Sequence, residues 1–353
     1  MTWILDHKIK ALGLLSGGLD STLTVHVLHR QEIDIQGIHF STGFCLTDAA
    51  ARTRHSDENR ALQGGPGDAF SAAEKLGIPV QLVNISDGYL EVLHHPKYGY
   101  GKNVNPCVDC RIHMFSIAKW LMNEHKADFV FTGEVLGQRP KSQHLQQLKL
   151  IAKLSGLGER LLRPLSAQLL PVTLPEREGW VDRSRLFGFH GRTRKPQVAL
   201  AAELGIQDYP QPAGGCCFLT DPSYARKVQD LWVHGTAVEP KWDDYLLLKT
   251  GRHLRVRPDL KIVVGRNERE NAFLEHYCKG RTRVEVDEVN GPMVLIDGPT
   301  DAEGELIAAR IAARYSDGWN SGADLTVRIE NGGVRTLKVR PFTPEEVAPW
   351  LIS

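Results

Sequence analysis

The sequence has no long hydrophobic run and few cysteines: six in 353 residues. No stretch approaches the roughly 20 apolar residues that a membrane-spanning helix needs. The first residues, Met1 to Asp6, lack the charged and apolar regions of a signal peptide. We therefore expect a cytoplasmic protein with no membrane partner. In that reducing compartment, six cysteines favour metal ligands, nucleophiles or buried apolar side chains over a disulfide framework.

The net charge is also small, +1 at pH 7. This excludes a generally basic coat for nucleic acid, although basic residues are dense within 139–153, 183–195 and 249–269. Taken alone, each of these basic stripes fits a solvated face as well as it fits a polyanionic partner. The length predicts two domains, each able to bury its own core.

The most informative stretch is a loop of small residues, Ser16-Gly17-Gly18-Leu19-Asp20-Ser21, between the apolar run 11–15 and a helix-like segment that starts near Thr22. Such a strand, loop and helix start present backbone N–H groups and a helix N-terminus to an anion. The loop lacks the lysine of a Walker A motif, so it predicts a phosphate site of another kind.

This loop resembles the PP-loop of the N-type ATP pyrophosphatases, which split ATP between the α and β phosphates and leave AMP on a substrate oxygen. The resemblance implies that the loop holds the phosphates and that Asp20 places Mg²⁺. It gives these ATP-binding candidates: Ser16, Gly17, Gly18, Asp20, Ser21, Thr132 and Gly133.

Apolar runs and helix-length segments alternate up to about residue 135. The predicted strands are 33–40, 79–85 and 129–131, and the predicted helices are 69–76 and 109–124, with a flap at 42–68. This order predicts an α/β fold, a doubly wound parallel sheet of the adenine nucleotide α-hydrolase-like type, over residues 1–222.

The pattern changes after Asp221. A helix is predicted at 224–233 and another at 302–315. Short strands are predicted at 245–248, 261–264, 282–286, 293–296, 325–329 and 336–339. These elements predict a smaller α+β domain over residues 240–353.

Cysteines form two groups, Asn105-Pro106-Cys107-Val108-Asp109-Cys110 and Ala213-Gly214-Gly215-Cys216-Cys217. Two thiolates three residues apart at a helix start can bind one metal ion. Because adjacent residues project in different directions, Cys216 and Cys217 are poorly placed to bind the same ion, and three ligands is the better count. Three thiolates can hold a [4Fe–4S] cluster and leave one iron open.

In order along the chain, the motifs resemble those of the tRNA thiouridine synthases, 4-thiouridine-synthase-like or 2-thiouridylase-like, over about the first 220 residues. Besides the loop and the two cysteine groups, they are 132–140, 163–165 and 191–195. The resemblance implies that ATP adenylates a uracil carbonyl oxygen and that sulfur then displaces AMP. In the iron–sulfur-dependent branch, it gives Asp20, Cys107, Cys110 and Cys216 as catalytic residues, the three cysteines holding the cluster. Cys217 is the alternative third ligand.

Residues 245–277 resemble the small NFACT-R-like domain of RNA-handling proteins, which implies an RNA-binding role for the C-terminal domain. The candidates for contacts with tRNA phosphates or the α-phosphate of ATP are Arg139, Lys141, Arg163, Arg192 and Arg194. We interpret Cys45 and Cys278 as structural.

Three other functions fit the same residues. A persulfide relay through Cys110 and Cys216 would keep the adenylation and replace the cluster. A non-catalytic RNA-binding protein would hold a structural zinc, and a small-molecule synthetase would form AMP without RNA. The sulfur donor, either sulfide or the product of a cysteine desulfurase, and a homodimeric state are left open.

Overall fold

The computed structural model describes residues 8–45, 73–74, 76–207, 209, 217–235, 239–298 and 300–353. The chain divides into two compact units, Met1–Thr220 and Asp221–Ser353. Most of the predicted helix 69–76 and of the predicted flap 42–68 lies outside the described residues. None of the helices in the described ranges is long and apolar enough to cross a membrane.

The described part of the first unit contains a parallel five-stranded sheet, which confirms the predicted arrangement. Its strands run in the spatial order β3-β2-β1-β4-β5. They are β1 (Lys10–Leu14), β2 (Asp34–Ser41), β3 (Val80–Asn84), β4 (Phe129–Thr132) and β5 (Leu161–Leu162). In such a sheet the loops after the strands share one edge, where ligands of α/β proteins bind.

Helices cover both faces of this sheet because side chains alternate along each strand. Phe129 and Phe131 of β4 lie in one core cluster, and Val130 lies in the other. In the described residues of the first unit, the helices are α1 (Leu19–His29), α2 (Ser86–His94), α3 (Cys107–Glu124), α4 (Leu145–Leu154), α5 (Leu174–Arg177) and α6 (Lys195–Glu203). Helices α1 and α6 contribute to the first cluster, and α3 and α4 contribute to the second.

Strands of the second unit form an antiparallel sheet, six-stranded within residues 221–235, 239–298 and 300–353, in the order β11-β10-β8-β9-β7-β6. They are β6 (Arg252–Arg257), β7 (Leu260–Val264), β8 (Thr282–Val286), β9 (Val294–Asp297), β10 (Leu325–Glu330) and β11 (Val334–Val339). Its helices are α7 (Pro222–His234), α8 (Trp242–Leu247), α9 (Glu268–Glu275), α10 (Ala302–Arg314) and α11 (Pro344–Val347). Helix α10 packs on the core face of the sheet.

The strand predicted at 245–248 is wrong, because these residues belong to helix α8 and its C-cap. Asp243 and Asp244 lie in its first turn, where carboxylates favour a helix start, and the Asp244 side chain accepts a hydrogen bond from the Lys241 N–H (2.8 Å). Tyr245 and Leu247 are buried on the inner side of the helix. Strand β6 and helix α9 were not predicted.

Candidate functional site

The small-residue loop leaves β1 at the carboxyl edge of the sheet and leads directly into α1. Gly17 has a φ of +78°, a conformation that side chains other than glycine rarely adopt. Gly18 is the N-cap of α1 in an extended conformation and provides no side-chain cap. The first N–H groups of α1 therefore have no capping side chain at this position, and uncapped N–H groups at a helix start are suited to an anion.

Asp20 lies in the first turn of α1 with its two carboxylate oxygens in different surroundings. Oδ2 accepts a hydrogen bond from Gln138 Nε2 (2.9 Å). Oδ1 is buried and has no hydrogen-bond partner among the described residues. An unpartnered carboxylate oxygen beside a phosphate-type loop fits a Mg²⁺ ion, which prefers oxygen ligands and keeps part of its water shell.

The turn after β4 packs directly on this loop. A Cβ atom added at Gly133 would lie 2.6 Å from both the carbonyl carbon of Asp20 and the backbone nitrogen of Ser21. Only glycine fits there, because such a contact is shorter than any that a real Cβ makes. Thr132 and Gly133, predicted to contribute to the nucleotide site, are thus beside the phosphate loop.

A buried carboxylate follows at Glu134. It accepts hydrogen bonds from Arg111 (2.5 Å) and from Arg163 (2.8 Å). Burial alone would raise the pKa of Glu134, but the two guanidinium groups outweigh it and hold the pKa below its ordinary value. The roles of Glu134 and Arg111 were not predicted from the sequence. Glu134 lies within the motif 132–140, and Arg111 directly follows Cys110.

The later motifs meet at the same turn. Leu136 pairs with His190 in a parallel bridge, and the Gly191 N–H donates to the Leu136 carbonyl (2.8 Å). The Leu136 N–H donates to Ser166 Oγ (2.9 Å), which in turn donates to the Phe189 carbonyl (2.6 Å). These bonds bring the segments 132–140, 163–166 and 189–192 together at one edge of the sheet.

Cys107 and Cys110 occupy the first turn of α3, which begins two residues earlier than predicted. Both side chains are half-buried. The Asp109 carboxylate, between them, accepts hydrogen bonds from the N–H groups of Lys97 and Tyr98 (both 3.0 Å), which fixes the helix start. Two thiols one helical turn apart are a suitable donor pair for a soft metal or an iron–sulfur cluster.

Cys216 lies outside the described residues, whereas Cys217 is described and buried. Cys217 forms an antiparallel bridge with Cys45, and its segment reaches the loop before Cys107 through a bond from Asn103 Nδ2 to the Thr220 carbonyl (2.8 Å). Among the residues that the structure describes, no group of three or more His, Cys, Asp or Glu side chains could hold a metal ion.

The five predicted RNA contacts differ in their exposure. Arg139, Lys141 and Arg192 are exposed, and Arg194 is half-buried. Arg163 is buried, 6% exposed, and its guanidinium is engaged by Glu134. Arg163 is therefore not available for the predicted contact with RNA.

Several cations of the basic stripe 249–269 are matched by carboxylates. Arg255 pairs with Asp230 (2.8 Å), and Arg257 pairs with Asp301 (3.0 Å). Lys261 is buried. Density of basic residues along the sequence therefore overstates the positive charge that this stripe presents to a partner.

Two family models match the chain. The tRNA methyl transferase HUP domain matches residues 9–153, and the NFACT protein RNA binding domain matches residues 251–351.

Curated relatives include tRNA-specific 2-thiouridylases MnmA from three bacteria. That of Psychromonas ingrahamii is 23% identical over 64% of this chain and 57% of its own length. That of Caldanaerobacter subterraneus subsp. tengcongensis is 31% identical over 60% and 55%, and that of Flavobacterium johnsoniae is 24% identical over 85% and 76%. The chain thus spans little more than half the length of the first two.

The first unit of this chain is similar to PP-loop proteins of the tRNA thiouridylase-like family. Its thiouridylase-like domain is followed by a C-terminal domain of NFACT RNA-binding type. Among solved structures, a 4-thiouridine synthetase–RNA complex with bound ATP is 24% identical, covers 56% of this chain and 50% of that chain, and gives a TM-score of 0.31. The C-terminal part of a fibronectin/fibrinogen-binding protein from Streptococcus suis is 15% identical, covers 69% and 94%, and gives a TM-score of 0.26.

Gly133→Ala should weaken ATP binding at least about tenfold without unfolding the chain, because the added Cβ must displace the Asp20–Ser21 peptide. Calorimetric titration with ATP measures this. Gly88→Ala is the control, since its Cβ would make only an ordinary 3.4 Å contact with His113. Unchanged affinity in a folded Gly133→Ala protein would contradict the proposed role of the turn.

Glu134→Gln should lower the free energy of unfolding at pH 7 by about 3–5 kcal/mol, because the buried Arg163 guanidinium and the half-buried Arg111 guanidinium lose their counter-charge. The folded pKa of Glu134 lies below its unfolded value of about 4.3. The ionised carboxylate therefore stabilises the fold above that pH, and the stabilisation is lost as the pH falls through the folded pKa.

Urea unfolding from pH 7 down to pH 3 should show the difference between wild type and Glu134→Gln shrinking in acid. Glu159→Gln is the matched control, because Glu159 pairs with Arg177 on an exposed surface and should change stability little. An equal difference at every pH would show that charge is not the cause.

Proposed function

We propose that this protein thiolates a tRNA uridine in an ATP-dependent reaction, with adenylation and sulfur transfer at one edge of the sheet. The observation that carries the proposal is the Arg111–Glu134 ion pair. It joins the residue after Cys110 to the turn that touches the phosphate loop. Relatives named tRNA-specific 2-thiouridylases support the same reaction class.

A uracil oxygen leaves poorly, whereas an adenylate leaves easily, so activation must precede exchange for sulfur. The carbonyl oxygen attacks the α-phosphorus of ATP, and pyrophosphate departs. The N–H groups at the start of α1 hold the phosphates, and Asp20 Oδ1 would hold a Mg²⁺ ion, which would supply positive charge for the pyrophosphate. Glu134 keeps the adjoining turn in place through its two arginines.

For the sulfur half, we propose that Cys107, Cys110 and Cys216 would hold a [4Fe–4S] cluster, which would supply the sulfur for transfer. Support comes from the two thiols on the first turn of α3. Asp109 fixes the start of α3 and with it the backbone that carries both thiols. The persulfide relay uses two of the same residues, Cys110 and Cys216, and is the competing mechanism.

For the tRNA partner, we propose phosphate contacts by Arg139, Lys141 and Arg192, which are exposed on the segments that meet beside the nucleotide loop. Arg194 is a secondary contact. The C-terminal domain, whose family model is an RNA binding domain, would add RNA contacts. The identity of the sulfur donor, a homodimeric state and a cytoplasmic location stay predictions.

Purified protein supplied with ATP, Mg²⁺, sulfide and unmodified tRNA should form AMP, pyrophosphate and thiouridine. Asp20→Asn should lower AMP formation by roughly 10²-fold or more, because it removes the charge proposed to place Mg²⁺. Asp87→Asn, at an exposed position in α2, should leave the rate unchanged. Nucleotides are measured by chromatography and thiouridine by mass spectrometry of digested tRNA.

ADP as the main product would overturn the PP-loop chemistry. AMP formed at the full rate without RNA would favour a small-molecule synthetase instead.

Anaerobically purified protein should contain iron, and Cys107→Ala, Cys110→Ala and Cys216→Ala should each lose both iron and thiolation. Cys278→Ala, in the second unit, should keep both. Cys217→Ala should keep iron, because Cys217 is buried beside Cys45. Iron content and visible absorbance measure the cluster. Thiolation activity with zinc alone would contradict the cluster mechanism and favour the persulfide relay.

A further inference from the structure

Cys45 and Cys217 lie opposite each other on two neighbouring segments. Cys45 follows β2, and Cys217 precedes the one-turn 3-10 helix Phe218–Thr220. The two residues form an isolated antiparallel bridge. Cys45 is half-buried and Cys217 is buried, so small molecules reach Cys45 more easily.

The hydrogen bond beside the bridge identifies the type of pair. The Phe218 N–H donates to the Phe44 carbonyl (2.9 Å), so Phe44 and Phe218 are the hydrogen-bonded pair. The next pair, Cys45 and Cys217, is non-hydrogen-bonded, and in such pairs the side chains are closest and the Cα atoms lie about 4.5 Å apart. That spacing falls within the range of roughly 4.4–6.8 Å that a disulfide requires.

Both cysteines are held in place by neighbouring hydroxyl groups. Thr42 Oγ1 accepts a hydrogen bond from the Phe44 N–H (3.2 Å) and lies 3.3 Å from Cys45 Sγ. On the other segment, Thr220 Oγ1 donates to the Cys217 carbonyl (2.8 Å). The general spacing of such a pair suits a disulfide between the two sulfur atoms.

We propose that Cys45 and Cys217 form a redox-active dithiol that exchanges with low-molecular-weight disulfides. Cys45 attacks one sulfur of the small disulfide, forming a mixed disulfide and releasing one thiol. Cys217 then attacks the Cys45 sulfur and releases the second thiol. Both protein thiols are oxidised to one disulfide, the small disulfide is reduced to two thiols, and the two cysteine protons pass to the leaving thiols.

This proposal gives the adjacent cysteines separate partners. Cys217 belongs with Cys45, which leaves Cys216 for the ligand set proposed with Cys107 and Cys110. The exchange is independent of ATP, of tRNA and of any bound cluster. A failed test of the exchange would therefore leave the proposed thiolation unaffected, and a failed test of thiolation would leave the exchange unaffected.

The test is to incubate the reduced, desalted full-length protein with oxidised glutathione, alkylate the remaining thiols and map non-reduced tryptic peptides by mass spectrometry. We expect a link between peptide 31–52, which holds Cys45, and peptide 195–226, which holds Cys216 and Cys217. Two fewer thiols per chain should be alkylated. Cys216→Ala should keep the link, and Cys217→Ala should lose it.

In Cys45→Ala, Cys217 should be recovered reduced or as a glutathione adduct, and circular dichroism should show an intact fold. Cys278→Ala should behave as wild type. A link that joins Cys217 to Cys107, Cys110 or Cys216 would overturn the proposal. So would a link that survives in Cys217→Ala, or the absence of any link to Cys45.

Discussion

A carboxylate buried between two guanidinium groups holds the candidate site together. Glu134 is 3% exposed, and it could not stay ionised there without Arg111 and Arg163. The three residues come from the turn after β4, the first turns of α3 and the end of β5. One electrostatic interaction thus sets the distance between the cysteine-bearing helix and the turn that supports the phosphate loop.

Much of the first unit could be predicted from the sequence because its strands are short apolar runs with helices between them. That pattern leads to a parallel sheet covered on both faces. Prediction was weaker where two patterns overlapped. The amphipathic residues of α4 were interpreted as part of a basic stripe, and Tyr245 to Leu248 have strand-like composition although acidic residues just before them start a helix.

The parts of the site that were predicted are contiguous motifs, namely the loop at 16–21 and the cysteine pair of α3. The ion pairs were not predicted, since Glu134 is 23 residues from Arg111 and 29 from Arg163. Burial was equally invisible: Arg163 and Lys261 look like surface cations in the sequence, yet both are inside the protein. Local motifs can be identified by residue type, whereas pairing across the fold requires the topology.

The hydrogen bond from Gln138 to Asp20 spans 118 residues, and the turn that follows is completed only by residues 189–191. Contacts of such long range form late, because a large loop must close before any of them can contribute. During synthesis, the loop before α1 stays without its supporting turn until about 170 further residues have emerged. A truncated or stalled chain therefore carries the loop at 16–21 without the turn that supports it, and the proposed nucleotide binding would require the completed domain.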